Sequence, residues 1–239
     1  MMKQWVKMKT ELGEDVILFC RIGDFYELFY EDAIVGAKEL DIALTSRKIG
    51  NTQHPLAGVP VRSVDSYVSR LVSKGYKVAI ADQLEDPKAV KGVVKRGITR
   101  IVTQGTLVDD TLLNAGKNNY IAALVKDKSR GNLSFGLAIA DLSVGDFFVK
   151  EFMGDDAESL LKYSLDITSP VEYIFPESLE DTVEELIKDE VGRKITLTPK
   201  PDFWFDLQEA TEVLHEHFEV KSLKGFGIAD KSLAAASAG

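Results

Sequence analysis

The residues with the clearest potential for chemistry are Phe25 and Glu27, which lie in the segment RIGDFYELF at positions 21–29. Residues two apart in an extended chain project from the same side, so this spacing predicts an apolar ring beside a carboxylate. An exposed Phe can insert between stacked bases and kink a duplex by roughly 20–90°. A carboxylate beside it would repel phosphates, so it would serve only as a hydrogen-bond partner for a base edge. The alternative interpretation is that Phe25 is a core residue and Glu27 a surface charge.

Residue clusters typical of enzymes are incomplete in this sequence. A metal-dependent nuclease would need grouped carboxylates. Asp141 ends one predicted strand and Glu177 follows another, and the alternative is that both are surface carboxylates of an acidic domain. His215 and His217 lie two apart on a predicted helix and point about 200° apart, so they cannot share a metal ion. The segment 116–118, Gly-Lys-Asn, lacks the remaining residues of a phosphate-binding loop. The sequence predicts no catalytic or metal site, and a ribonuclease H-like nuclease is kept as the alternative function.

Charge is distributed unevenly along the 239 residues, which carry 38 Asp+Glu and 29 Lys+Arg for a net charge of -9. Residues 1–112 contain 16 Lys+Arg and 15 Asp+Glu, a net of +1, which leaves 13 and 23, a net of -10, for residues 113–239. The asymmetry predicts two domains with different partners, and a polyanion, if one binds, would bind the first domain. A local basic cluster in that half contains Lys88, Lys91, Lys95, Arg96 and Arg100.

The cellular location predicted from composition is the cytoplasm. The single cysteine, Cys20, excludes an internal disulfide and favours a reducing compartment. The longest apolar runs are much shorter than the roughly 18 residues that a membrane span needs. Charged residues interrupt the first sixteen positions, which do not resemble a secretory signal.

The periodicity of the first half predicts an α/β domain with a mixed sheet, covering residues 1–112. Ser63 is the predicted N-cap of one of its helices. The predicted elements are a helix at 1–12, an extended segment at 16–29 interrupted at 23–24, a helix at 31–40, a strand at 41–45, an irregular loop at 46–60, a helix from 63 to 75, and strands at 76–81 and 98–103.

The second half predicts a ribonuclease H-like domain at residues 119–239, joined to the first by a linker at 113–118. Its element order is βββαβαβα, which gives a meander of three strands followed by βα crossovers. The predicted strands are 120–125, 134–141, 146–152, 171–175 and 195–198, and the predicted helices are 155–165, 179–190 and 205–220. The final segment, SLAAASAG, has the composition of a helix start, and we expect the natural protein to continue.

Four ordered blocks of the first half resemble the bacterial-type MutS family of DNA mismatch repair proteins. The blocks are LFCRIGDFYELFYEDA, LDIALTSR, HPLAGVPVRSVDSYVSRLVSKGYKVAIADQLEDP and VKRGITRIVTQGTLVDD. The second half, including SFGLAIADLSVGDFFV and GFGI, is similar to the connector domain of that family. The resemblance implies a fragment, because the lever, clamp and Walker-type ATPase domains of the family would follow Gly239.

The resemblance implies a DNA-binding role for particular residues. Phe25 matches the wedge that stacks on a mispaired base, and Glu27 matches the carboxylate that hydrogen-bonds that base. Arg47 resembles a positive residue that faces the DNA backbone. Arg21, Ile22 and Asp24 occupy the positions around the wedge, and Leu56 lies in the loop 56–60 that approaches the minor groove. Arg62 is a further DNA-binding candidate. From their charge, Lys48, Lys88, Lys91, Lys95 and Arg96 are candidates for attraction of the DNA backbone, and the alternative for each is a solvated surface charge. Two departures from the family pattern are Val61-Arg62, in place of an aromatic and a histidine, and Gln104, in place of a proline.

The function implied by the resemblance is recognition of base-base mismatches and small insertion/deletion loops in duplex DNA, which initiates mismatch repair. The expected partners are mismatched DNA and a MutL-type protein that docks on the connector domain. We expect no cofactor in this fragment, because ATP and magnesium belong to the ATPase domain of full-length family members. Those members are also homodimers, and we expect a cytoplasmic, nucleoid-associated location.

Overall fold

The computed structural model describes residues 1–49, 52–85, 92–108, 118–129, 132–188, 193–228 and 232–239. The chain divides into two compact units, residues 1–112 and 113–239. Each unit contains a mixed sheet and helices, so the predicted α/β fold class is confirmed. Most of the predicted linker, residues 113–117, lies outside the described residues. No described helix combines the length and apolar character of a transmembrane span.

The first unit is built on a six-stranded sheet with the order β3-β4-β2-β1-β5-β6. Strands β1 and β5 are parallel, and the other neighbours are antiparallel. Its elements are α1 (Met2–Leu12), β1 (Val16–Ile22), β2 (Phe25–Phe29), α2 (Tyr30–Leu40), β3 (Thr45–Ile49), β4 (Thr52–Pro60), a 3-10 turn (Val61–Ser63), α3 (Val64–Ser73), β5 (Lys77–Gln83) and β6 (Arg96–Val102).

Two of the predicted elements in this unit are wrong. The predicted strand at 41–45 is irregular over residues 41–44, because the left-handed φ of 55° at Asp41 ends α2, and β3 begins only at Thr45. The predicted loop at 46–60 is the β3–β4 hairpin. Its prolines are tolerated because Pro55 pairs only with β3 and Pro60 is the last residue of β4, so neither interrupts a strand that is paired on both sides.

Ser63 is the N-cap residue of α3, as predicted, but its side chain does not form the expected cap bond. The hydroxyl of Ser63 donates to the carbonyl oxygen of Pro60 at 3.2 Å, and no side-chain cap bond forms at this helix start. The 3-10 turn before α3 directs this hydroxyl back towards β4. The helix begins at Val64, one residue beyond the predicted cap.

Both faces of the first sheet are buried along its central strands β1 and β5. On one face, Trp5 and Met8 of α1 pack against a strand cluster that includes Leu18, Cys20 and Phe29. The side chains that alternate with these along β1 and β2, such as Phe19 and Leu28, face the other way, where α2 packs on β1 and β2 and α3 packs on β4 and β5. There the contact is close, since a Cβ added to Gly36 of α2 would lie 2.8 Å from a methyl group of Leu28.

A buried ion pair fixes α1 and α2 to the first residues of β1. The ammonium of Lys9 donates to Asp32 Oδ1 at 2.8 Å and to the carbonyl oxygen of Val16 at 2.5 Å. The other carboxylate oxygen of Asp32 accepts the backbone N–H of Leu18 at 2.9 Å. Burial raises the pKa of Asp32, while the hydrogen bonds from Lys9 and Leu18 oppose that rise. The pair therefore connects both helices to the strand that leads into the segment of Phe25.

The second unit has a five-stranded sheet with the order β9-β8-β7-β10-β11. Strands β7, β8 and β9 form the predicted antiparallel meander, and β10 and β11 run parallel to β7, as the ribonuclease H-like order requires. The elements are β7 (Ile121–Ser129), β8 (Asn132–Asp141), β9 (Asp146–Met153), α4 (Ala157–Thr168), β10 (Glu172–Pro176), α5 (Glu180–Ile187), β11 (Thr196–Lys200), α6 (Leu207–His217) and α7 (Ser232–Ala238).

Candidate nucleic-acid interface

Phe25 is a half-exposed ring at the first position of β2. It follows the two-residue turn Gly23-Asp24, in which Gly23 has a φ of 61° at the first central position, where a positive φ favours glycine. Phe25 pairs with Ile22 of β1 and with Pro60 of β4, and it is 48% exposed. The interpretation of Phe25 as a core residue is therefore wrong.

The opposite side of β2 is anchored in the protein. Tyr26 and Leu28, which alternate with Phe25 and Glu27, are buried. The hydroxyl of Tyr26 donates to Asp82 Oδ1 on β5 at 2.6 Å, and burial, with this hydrogen bond, raises the pKa of Tyr26 to about 12. The anchored residues leave Phe25 and Glu27 together on the other side, as the spacing predicts.

Glu27 forms a two-pronged ion pair with Arg47. Nη1 of Arg47 lies 2.9 Å from Glu27 Oε2, and Nη2 lies 3.4 Å from Oε1. The Glu27 side chain is 15% exposed and that of Arg47 is 38% exposed. Burial raises the pKa of Glu27, whereas Arg47 and, at longer range, Arg96 lower it. Glu27 is therefore a largely buried carboxylate with an arginine partner, which differs from the alternative interpretation of a surface charge.

The pairing of Arg47 was not anticipated from the sequence. The resemblance implies that Arg47 faces the DNA backbone, but here its guanidinium contacts Glu27. Lys48 follows on β3 and is exposed; strand alternation directs it to the other face. The opposite charges of Glu27 and Arg47 are a signal for the pair, but the pairing depends on the register of a hairpin whose sequence predicts a loop.

Several other candidates lie near Phe25. The carbonyl oxygen of Asp24 accepts the N–H of Val61 at 2.9 Å, which joins the β1–β2 turn to the end of β4. Arg96 donates through Nε to the carbonyl oxygen of Arg21 at 2.8 Å and through Nη1 to that of Val94 at 2.9 Å. Two of its N–H groups are thus used within the protein. The partly buried side chain of Ile22 packs against the α1 cluster.

The remaining candidates do not form a single contact set. Leu56 is partly buried and packs against the α1 cluster. Arg62 and Lys95 are exposed, whereas Arg100 pairs with Asp65 at 2.6 Å. Lys88 and Lys91 lie outside the described residues. The structure therefore brings together Ile22, Asp24, Phe25, Glu27, Arg47 and Arg96. Arg21 is opposite Tyr26 in the β1–β2 register, so its side chain lies on the other side of the sheet, and the other cations are dispersed.

The carboxylate proposed for a nuclease has a structural role. Asp141 is buried at the end of β8, where Oδ1 accepts the N–H and hydroxyl of Ser143 at 2.9 and 2.6 Å, and Oδ2 accepts the N–H of Asn119 at 2.8 Å. Burial alone would raise the pKa of Asp141, but these donors outweigh it and the pKa is lowered. Within the described ranges, no three His, Cys, Asp or Glu side chains are grouped so that they could hold a metal ion.

Comparison with known proteins covers both units. The family model for MutS domain I matches residues 1–111, and that for MutS domain II matches residues 119–239. DNA mismatch repair protein MutS of Syntrophomonas wolfei is 41% identical over 95% of this chain and 26% of its own length. The proteins of the same name from Symbiobacterium thermophilum and Protochlamydia amoebophila are 41% and 40% identical over 100% of this chain, and 27% of each relative is covered.

The length of the match defines what part of such a protein is present. The chain spans about a quarter of the length of these relatives, and the two matched models account for nearly all of its residues. The resemblance found in the sequence motifs is confirmed. The chain belongs to the MutS family of DNA mismatch repair proteins and carries domains I and II of that family.

Proposed function

We propose that this chain recognises base-base mismatches and small insertion/deletion loops in duplex DNA, and that recognition initiates DNA mismatch repair by the longer protein. In this proposal Phe25 inserts from the minor groove and stacks on the mispaired base, and Glu27 hydrogen-bonds that base. The observation that carries the proposal is the half-exposed ring of Phe25 at the rim of the sheet, on the same side of β2 as the carboxylate of Glu27.

The selectivity of such a wedge comes from the mechanics of the duplex. Separating two stacked base pairs costs a few kcal/mol, and the cost is least where pairing and stacking are already weakened. Stacking of a base on an aromatic ring returns roughly 1–3 kcal/mol. These two free energies are similar in size. Insertion is therefore favourable at a mispair, where the cost of unstacking is reduced, and unfavourable at a matched step, where it is not. Specificity is then a measure of deformability more than a readout of base edges.

Backbone attraction is a second part of the proposal. The first unit has a net charge of +1 against -10 for the second, and it exposes Lys48, Arg62 and Lys95. Phosphate contacts by such cations add affinity without sequence preference and weaken as salt concentration rises. We therefore place the DNA on the first unit.

The test is fluorescence anisotropy with a G·T duplex and its matched twin at low salt. Wild type should prefer the mismatched duplex, and Phe25→Ala should lose that preference because it removes the stacking ring. A matched control is Phe203→Ala, which removes a ring that is 65% exposed on the second unit and should retain the preference. An unchanged preference in Phe25→Ala, or the same affinity of the wild-type chain for both duplexes, would contradict the proposal.

A second substitution addresses the carboxylate. Glu27→Gln keeps the shape and hydrogen-bonding capacity of the side chain but removes its negative charge. Matched duplex should bind the variant at least as strongly as wild type, because repulsion of the phosphates is lower. Weaker binding of the variant to matched duplex would contradict the role given to Glu27.

The remaining parts of the proposal concern the longer protein. We assign ATP and magnesium binding, ATPase activity and homodimerisation to regions outside this chain, and no catalytic activity to this chain. The acidic second unit is the docking surface for a MutL-type protein, and the location is the cytoplasm, in association with the nucleoid. Failure of the second unit to bind a purified MutL-type protein in a pull-down would contradict the docking role.

A further inference from the structure

The ion pair between Arg47 and Glu27 crosses one strand of the sheet. Glu27 lies on β2 and Arg47 on β3, and β4 runs between them. The residue of β4 opposite Glu27 is Gly58. A Cβ there would lie 3.7 Å from Cγ of Glu27 and 3.3 Å from the carbonyl oxygen of Tyr26. The glycine keeps the sheet surface beside Glu27 free of a side chain, and the guanidinium of Arg47 reaches the carboxylate there.

The surroundings of Glu27 make its charge dependent on this partner. Cys20 of β1 is directly opposite Glu27 and fully buried, so the adjoining surface is apolar. The charged groups that act on Glu27 are Arg47 from β3 and, at longer range, Arg96 from β6. Arg96 uses two of its N–H groups on backbone carbonyls, whereas Arg47 contacts both carboxylate oxygens. Arg47 is therefore the nearer and more direct counter-ion.

The pair leaves the carboxylate able to bind a base. A carboxylate offers about four lone-pair sites, and Arg47 occupies two of them, one on each oxygen. The remaining sites can accept an N–H from a base. The positive charge of Arg47 also cancels the negative charge of Glu27 as it is felt by nearby phosphates.

We propose that Arg47 is a positioning residue that acts through Glu27: it orients the carboxylate, favours its charged form and neutralises its charge towards the duplex. The DNA part of this inference rests on the proposed function. It differs from the role implied by family resemblance, in which Arg47 faces the DNA backbone, because the effect of Arg47 then depends on the presence of the Glu27 carboxylate.

The first experiment needs no DNA. The side-chain carboxyl carbon of Glu27 is followed by NMR through a pH titration of the whole chain, in wild type, Arg47→Met and Lys48→Met. Arg47→Met should move the Glu27 midpoint to higher pH because it removes the adjacent positive charge. Lys48→Met removes a neighbouring charge from the opposite face of β3 and should leave the midpoint in place. An unchanged midpoint in Arg47→Met, or equal shifts in both variants, would overturn the proposal.

The second experiment is a double-mutant cycle of binding to the G·T duplex with Arg47→Met, Glu27→Gln and the combined variant. Arg47→Met should reduce affinity about tenfold when Glu27 is present and less than about twofold when Gln replaces it. Equal losses in both backgrounds would indicate a direct phosphate contact and overturn the proposal. A wild-type chain without mismatch preference would contradict the proposed function, and the titration would still decide whether Arg47 controls the ionisation of Glu27.

Discussion

Replacing Lys9 by methionine tests the buried ion pair that holds α1 and α2 against β1. The variant removes the ammonium from Asp32 Oδ1, and it leaves the carbonyl oxygen of Val16 without that donor. The side chains of Lys9 and Asp32 are only 10% and 6% exposed, so water cannot replace the lost partner without opening the structure. Breaking a buried pair by removing one partner costs about 3–5 kcal/mol.

The expected loss is large enough to measure by calorimetry. For a unit of 112 residues, 1 kcal/mol corresponds to roughly 4 °C in melting temperature, so Lys9→Met should lower the melting temperature of the first unit by at least about 12 °C. A matched control on the same helix is Lys7→Met. Its partner Glu11 lies 3.8 Å away and both side chains are mostly exposed, so we expect a change under roughly 2 °C.

The pH dependence of Lys9→Met provides a sharper test. Burial raises the pKa of Asp32, and loss of Lys9 removes an opposing effect, so the pKa rises further. A carboxyl whose pKa is raised in the folded state contributes stability that is present at low pH and lost as pH rises through the folded-state pKa. The deficit of Lys9→Met should therefore be greatest near neutral pH and smaller at about pH 5. A deficit that matches that of Lys7→Met, or that does not change with pH, would refute the reasoning.

Two further predictions concern Cys20 and Asp141. Burial raises the pKa of Cys20 to about 11, so its thiolate fraction at pH 8 is on the order of 0.1%. Alkylation by iodoacetamide should therefore occur only after unfolding, and rapid labelling of the native chain would contradict this. Asp141→Ala should destabilise the second unit by about 2–4 kcal/mol, because it leaves the buried N–H of Asn119 and the donors of Ser143 without their acceptor. Because the pKa of Asp141 is lowered, its contribution to stability is present above the unfolded-state pKa and is lost as pH falls through the folded-state pKa. The difference from wild type in chemical denaturation should therefore shrink in acid, and a constant difference would contradict the assignment.

Local sequence patterns predict most of the fold. The two-residue period of β2 predicts that Phe25 and Glu27 share a side, and the structure confirms it because that period is a property of the strand alone. The βββαβαβα order predicts the sheet of the second unit, since right-handed crossovers leave few other arrangements. These features depend on neighbours in sequence or on general rules of connection.

The features that the sequence did not predict depend on register between distant strands. Pro55, Gly58 and Pro60 are typical of a loop, and only their pairing partners show that they are compatible with β4. Because the pattern at 46–60 predicts a loop, it does not predict the contact between Arg47 and Glu27, which joins strands that are separated by β4. Side-chain partnership across a strand is a tertiary property that local spacing does not encode.

The backbone pairing on both sides of Phe25 determines how the protein would respond if this ring were pressed into DNA. The residue is in register with Ile22 on one side and Pro60 on the other, and the turn before it is tied to Val61. A ring at the tip of an unpaired loop would be displaced when it was pressed against stacked bases, whereas the backbone of Phe25 is paired with a strand on each side. In the proposed insertion the load on Phe25 would be shared by the six-stranded sheet. The main entropy cost on the protein side would be the lost rotation of the Phe25 side chain, because its backbone is already ordered.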